Sequence, residues 1–194
     1  MRWAIFLIFA VLGIVFDAGF GDVFRIDGLW SVRPSLSAVL VVFVALSAPR
    51  TLALWACFVL GLLIDLSTQH TAGGNRIVYL VGPYTLGFLA AGWMVVRGRT
   101  MVFRRRPLTI GVMTLGCVLL AQAIVLAVLV LRSAGWYPGG VIHWTDTTLG
   151  VEVFRRVLIA VYSGLFGIPA GWMLVRTIPL WGFQTGSHRM ALMR

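Results

Sequence analysis

The sequence predicts an all-α integral membrane protein with six transmembrane helices. Three observations point there. Hydrophobic residues make up 60% of the chain and charged ones 11%. Mean hydropathy is +0.96. The apolar residues also gather into six runs with polar or basic stretches between them. Soluble domains are about 45–50% apolar. A soluble core in a chain of 194 residues has no room for the excess, so lipid is the solvent for much of it.

The first predicted helix covers residues 3–20, counted as retained because no small-x-small cleavage site follows its apolar stretch. Residues 17–33 are polar and read as a loop. The second and third helices, 35–48 and 51–67, are joined at Pro49-Arg50, a turn tight enough to make a helical hairpin. Residues 70–76, with Gly73 and Gly74, read as a loop. The fourth helix spans 77–96 with a break at Gly82-Pro83, which a membrane helix tolerates when neighbours satisfy the freed carbonyl. The fifth, 108–131, is the longest run, and the sixth covers 157–175 after a polar connection over 132–156. No internal repeat or separate soluble domain interrupts residues 1–194, which read as one polytopic domain.

All 16 basic residues are arginine, and the formal net charge is +10. The arginines cluster at the ends of the runs, where they orient a chain in the bilayer and meet anionic membrane lipids. Six spans place Arg2, Arg50, the basic stretch from Arg97 to Arg106 and the tail on one side. That side is therefore the cytoplasmic one, and it holds both termini. Nucleic acid is excluded as a partner because the apolar runs leave no soluble binding domain.

Asp65 is the first candidate residue, since an ionisable group at membrane depth is a functional hypothesis by default. Counted along the hairpin, Arg33 lies at a similar height and is its expected ion-pair partner, with Arg76 the second candidate. Gln122, mid-run, is expected to cross-link helices. Ser163, Gly167 and Gly171 recur every fourth residue and predict a packing face, as does Gly61. Trp136, Tyr137 and Trp144 read as interface anchors that also offer a partner contact. Cys57 and Cys117 read as small apolar residues. The histidines, His70, His143 and His188, are too scattered for a metal site. No catalytic motif is present, and with 6 carboxylates neither an enzyme nor a cofactor is expected.

Arg33-Pro34-Ser35 leads into an apolar helix, a tight turn follows, and Gly61-Leu62-Leu63-Ile64-Asp65 closes the next helix before a glycine-containing loop and a fourth helix. This pattern resembles the rod shape-determining protein MreD family over roughly a third of the chain. Ser35 stands where the family often has an acidic residue, and Trp55 to Cys57 where it often has a glycine. The resemblance implies a compact bundle like the substrate-binding components of vitamin transporters. It also implies a non-enzymatic scaffold of the cell-elongation machinery in the bacterial inner membrane. The partners it implies are an MreC-like protein, an MreB-like cytoskeleton and the peptidoglycan glycosyltransferase and transpeptidase of side-wall synthesis. The rival reading is the membrane component of a small-molecule uptake transporter. Such components dock through regularly spaced alanines on the first helix, whereas Ala4, Ala10 and Gly13 are not at four-residue spacing.

Overall fold

The computed structural model describes residues 2–19, 23, 32–72, 76–99, 107–133 and 149–182. The expected contacts at Trp136, Tyr137 and Trp144 fall outside these residues. The described elements are α1 (Trp3–Ala18), α2 (Leu36–Ser47), α3 (Arg50–Ser67), the hairpin strands β1 (Gln69–Ala72) and β2 (Arg76–Tyr79), α4 (Pro83–Gly98), α5 (Pro107–Ser133), α6 (Leu149–Arg176) and a single turn, α7 (Ile178–Trp181). Three helices are long and apolar enough to cross a membrane: Arg50–Ser67, Leu108–Leu131 and Gly150–Arg176. Trp3–Ala18 and Leu36–Ser47 are apolar but shorter.

Two helix starts differ from the sequence reading. The fourth helix begins at Pro83, not at residue 77, because residues 76–79 pair antiparallel with 69–72. Ile77, Val78 and Tyr79 favour a strand. Gly82 then takes φ 128°, a conformation that L side chains rarely adopt, and Pro83 opens α4 at a position that needs no N–H. Arg76 therefore sits at the start of β2, opposite Ala72. The sixth helix starts at Leu149 rather than residue 157, so Glu152, Arg155 and Arg156 lie on its first turns instead of in a loop. Glu152 suits that position, since its charge meets the positive end of the helix dipole.

α2 is the centre of the bundle. Every residue from Ser37 to Leu46 is buried, and α2 packs against α1, α3, α4, α5 and α6. A helix that is apolar all round is a core helix or a membrane span, and its neighbours place this one in the core. At 12 residues it is about 18 Å long, whereas α5 and α6, with 27 and 28 residues, reach about 40 Å. The middle of the bundle is thus shorter than its wall.

Small residues set the closest approaches around this centre. A Cβ at Gly167 would lie 3.3 Å from Gly111 Cα, and one at Gly171 would lie 2.8 Å from Ile110 Cγ2, so both glycines face α5. Gly111 and Gly164 belong to the same seam. Ser163 turns instead toward α2, where its Oγ accepts a bond from Ser35 N at 3.1 Å.

At the end where α1 begins, α7 closes the bundle. The Trp181 ring is fully buried, 5.0 Å from Phe9 and 5.2 Å from Phe43. Its indole N–H donates to Thr177 Oγ1 at 2.8 Å, and its carbonyl accepts from Arg2 N at 3.0 Å.

Candidate functional site

The opposite end holds a cavity of about 530 Å³ over the N-terminus of α2. It exists because α2 stops short. Pro34, Ser35 and Ser37 form its floor, and five helices contribute walls: Ile14 and Asp17 from α1, Ile64 and Ser67 from α3, Tyr84 and Phe88 from α4, Val118 and Gln122 from α5, and Glu152, Arg155, Arg156 and Ile159 from α6. Val118 is about 15 residues inside the end of α5, so the cavity reaches roughly 20 Å below it. Arg33 also lines it.

A helix N-terminus leaves several N–H groups without intrahelical partners, and each is costly if buried dry. Asp17, in the last turn of α1, answers this for α2. It accepts from Leu36 N at 2.7 Å, from Ser37 N at 3.2 Å and from Ser35 Oγ at 3.1 Å. Ser35 is the cap residue itself, and its hydroxyl accepts from Ala38 N at 3.2 Å.

Asp65 repeats the device one hairpin later, from the last turn of α3 to the start of α4. Its Oδ1 accepts from Tyr84 N at 2.9 Å. Its Oδ2 accepts from Gly82 N and Thr85 N, each at 2.9 Å, and from Thr85 Oγ1 at 2.6 Å. The residue is 1% exposed. The expected Asp65–Arg33 ion pair is therefore corrected: the carboxylate is taken up by the N-terminus of α4, whose N–H groups and dipole satisfy a buried anion without a cation. Arg33 instead faces the cavity, and the side chain of Arg76 lies outside the described residues.

The cations of the cavity are tied to α6 and α5. Arg156 Nε donates to Glu152 Oε1 at 3.0 Å, and Arg156 Nη1 donates to Gln122 Oε1 at 2.6 Å. Gln122 thereby links α5 to α6. Arg155 Nη1 lies 3.6 Å from Glu152 Oε2, while Arg155 Nε is buried with no acceptor among the described residues. Among those residues, no three His, Cys, Asp or Glu side chains gather as a metal ion would need.

The sequence reading singled out Asp65, Arg33 and Gln122 and missed Asp17, Glu152, Arg155 and Arg156. A signal was there. Asp17 follows an apolar run as Asp65 does, and Glu152 stands three and four residues before two arginines, the spacing of ion pairs on one helix face.

Compared with models of protein families, with curated proteins and with solved structures, the chain matches none.

Proposed function

We propose that this chain is a six-span protein of a bacterial cytoplasmic membrane, with both termini inside, and that it is a non-enzymatic scaffold of the cell-elongation machinery, as its resemblance to MreD implies. The observation that carries the reading is the use made of the motif behind that resemblance. Gly61 and Asp65 are spent on joining α3 to α4, and Ser35, after Pro34, caps α2. These residues build a rigid hairpin pair, with the Asp65 carboxylate engaged by the start of α4. Asp17 and Glu152 are likewise engaged, by backbone and by arginine.

The membrane setting is supported by the outer surface. Leu7, Ile8, Val11 and Leu12 on α1 and Leu165 and Met173 on α6 are all exposed, which makes an apolar face too large for water. Exposed tryptophans mark one rim: Trp3, Trp55, Trp93 and Trp172, close in sequence to Arg2, Arg50, Arg97 and Arg176. Arg97 lies 4.7 Å over Trp93 and Arg176 lies 3.6 Å over Trp172, an arrangement suited to a cytoplasmic headgroup layer. The shorter helices fit such a setting if flanking residues complete their spans.

The cavity favours a second reading, a solute-binding component of an uptake transporter. Against it, the small residues of α1 do not form an outward docking stripe. Ala10 and Gly13 are buried, and a Cβ at Gly13 would lie 3.4 Å from Ser37 Oγ inside the bundle.

Capture of the tagged chain from its native membranes separates the two. The scaffold reading expects an MreC-like coiled-coil protein and a peptidoglycan polymerase to come with it. Recovery with an ATPase module and neither of those would overturn it in favour of uptake.

A further inference from the structure

The cavity sets charged and polar side chains among apolar helix walls. Among the described residues that line it are the guanidinium groups of Arg155 and Arg156 and two carboxylates. One of these carboxylates, Asp17, is already consumed by the start of α2. The other, Glu152, is shared between Arg155 and Arg156. Arg155 and Arg156 therefore share a single carboxylate, and the buried Arg155 Nε with no acceptor among the described residues is a donor in want of one. The size of the cavity falls within the range of small-molecule sites.

A second void fixes the kind of anion. A groove of about 130 Å³ runs between α5 and α6, lined by Leu119, Ala123, Leu126, Val153 and Val157. Gln122 and Arg156 line both voids, so the hydrogen-bonded Gln122–Arg156 bridge is the wall between them. One side of that wall offers cations and hydrogen bonds, and the other is apolar. Ala123 is exposed on the outer surface, so the groove faces whatever surrounds the helices.

We propose that the cavity holds the headgroup of an anionic lipid while one acyl chain lies in the α5–α6 groove. The guanidinium groups bind the phosphate, which is why arginine serves here: its planar fork matches a phosphate edge with two parallel N–H···O bonds. The lipid fills the gap left by the short α2 and braces α6 against α1 and α2. This inference rests on the membrane part of the reading above and not on the elongation partners. Retention of the chain in carbonate-washed membranes tests that part separately.

The test is native mass spectrometry of the full chain in mild detergent, with phosphatidylglycerol and phosphatidylcholine supplied in equal amounts. One phosphatidylglycerol is expected to stay bound in preference to phosphatidylcholine. Arg155→Gln should cut its retention about fivefold, the contribution of one arginine near an anionic headgroup. Ala123→Trp fills the groove and should abolish retention; being on an exposed wall, it keeps the test valid if Arg155→Gln fails to fold. Helical circular dichroism and the elution profile check both variants. Equal retention of the two lipids, or retention indifferent to Ala123→Trp, would overturn the proposal. So would sn-glycerol 3-phosphate raising the melting temperature of wild type and Ala123→Trp alike while phosphatidylglycerol is not retained. The site would then take a free anion.

Discussion

Asp65→Ala is expected to lower the stability of the bundle by about 3–5 kcal/mol, the cost of removing one partner from a buried charged arrangement. The effect is large because four donors converge on one carboxylate that is 1% exposed, and all four lose that acceptor. Reversible unfolding by denaturing detergent, followed by circular dichroism, measures it. Asp65→Asn keeps one acceptor oxygen and should lie between Ala and wild type. Thr85→Val removes only the hydroxyl donor and should cost about 1 kcal/mol. In an Asp65→Ala background it should cost close to nothing, since its partner is already gone. Arg33→Ala is the informative contrast. An Asp65–Arg33 ion pair would make that double mutant milder than the sum of the singles, whereas the cap geometry makes the two losses add. Subadditive loss with Arg33→Ala and additive loss with Thr85→Val would sink the cap assignment.

Much of the helical architecture could be read from apolar runs, because a segment that must satisfy its backbone in lipid has few alternatives to a helix. The ends were harder. Residues 77–79 are apolar and continue the pattern of α4, yet they belong to a strand. Only the glycine at positive φ before Pro83 separates the two, and its sign is hidden in the word Gly-Pro. At the other misread end, Glu152, Arg155 and Arg156 looked like loop residues because they are charged. They are helical because they pair with one another and with Gln122 across the helix seam. Asp65 was recognisable as a buried ion from its apolar neighbours. Its partners were not, because they are backbone N–H groups, which no residue letter announces. The cavity was out of reach for a related reason. It is a difference in length between α2 and the helices around it, visible only once α2 stands in the middle. Trp181 was equally hidden, since a tail residue beyond the last apolar run gives no hint that it folds back under Phe9 and Phe43.

Gly61→Ala should be strongly destabilising for the addition of a single methyl group. A Cβ at Gly61 would lie 2.5 Å from Thr85 Cα, 2.9 Å from Tyr84 O and 3.0 Å from Thr85 N. All three are backbone atoms, so no side chain can rotate away. Nor can the backbone retreat cheaply, because the N–H groups of Tyr84 and Thr85 are held by Asp65 one turn further along α3. The two residues of the motif thus act as one joint: the glycine lets α4 come close, and the aspartate fixes it there. Overpacking of a filled core costs about 1–3 kcal/mol, and the upper part of that range is expected where both clashing groups are main chain. The comparison is with Gly116→Ala in α5, where a Cβ would meet only Met94 Cε at 3.7 Å, and Gly150→Ala in α6, where it would meet nothing within 4 Å. Those two should stay within about 0.5 kcal/mol of wild type, with the gain in helix propensity offsetting any small contact cost. Because the joint is shared, Gly61→Ala combined with Asp65→Ala should cost less than the two separately: once α4 is released from the carboxylate, it is free to move off the new methyl. A Gly61→Ala protein that unfolds like Gly116→Ala would mean that α3 and α4 slide past each other easily, and the joint would lose its claim to set the geometry of the hairpin pair.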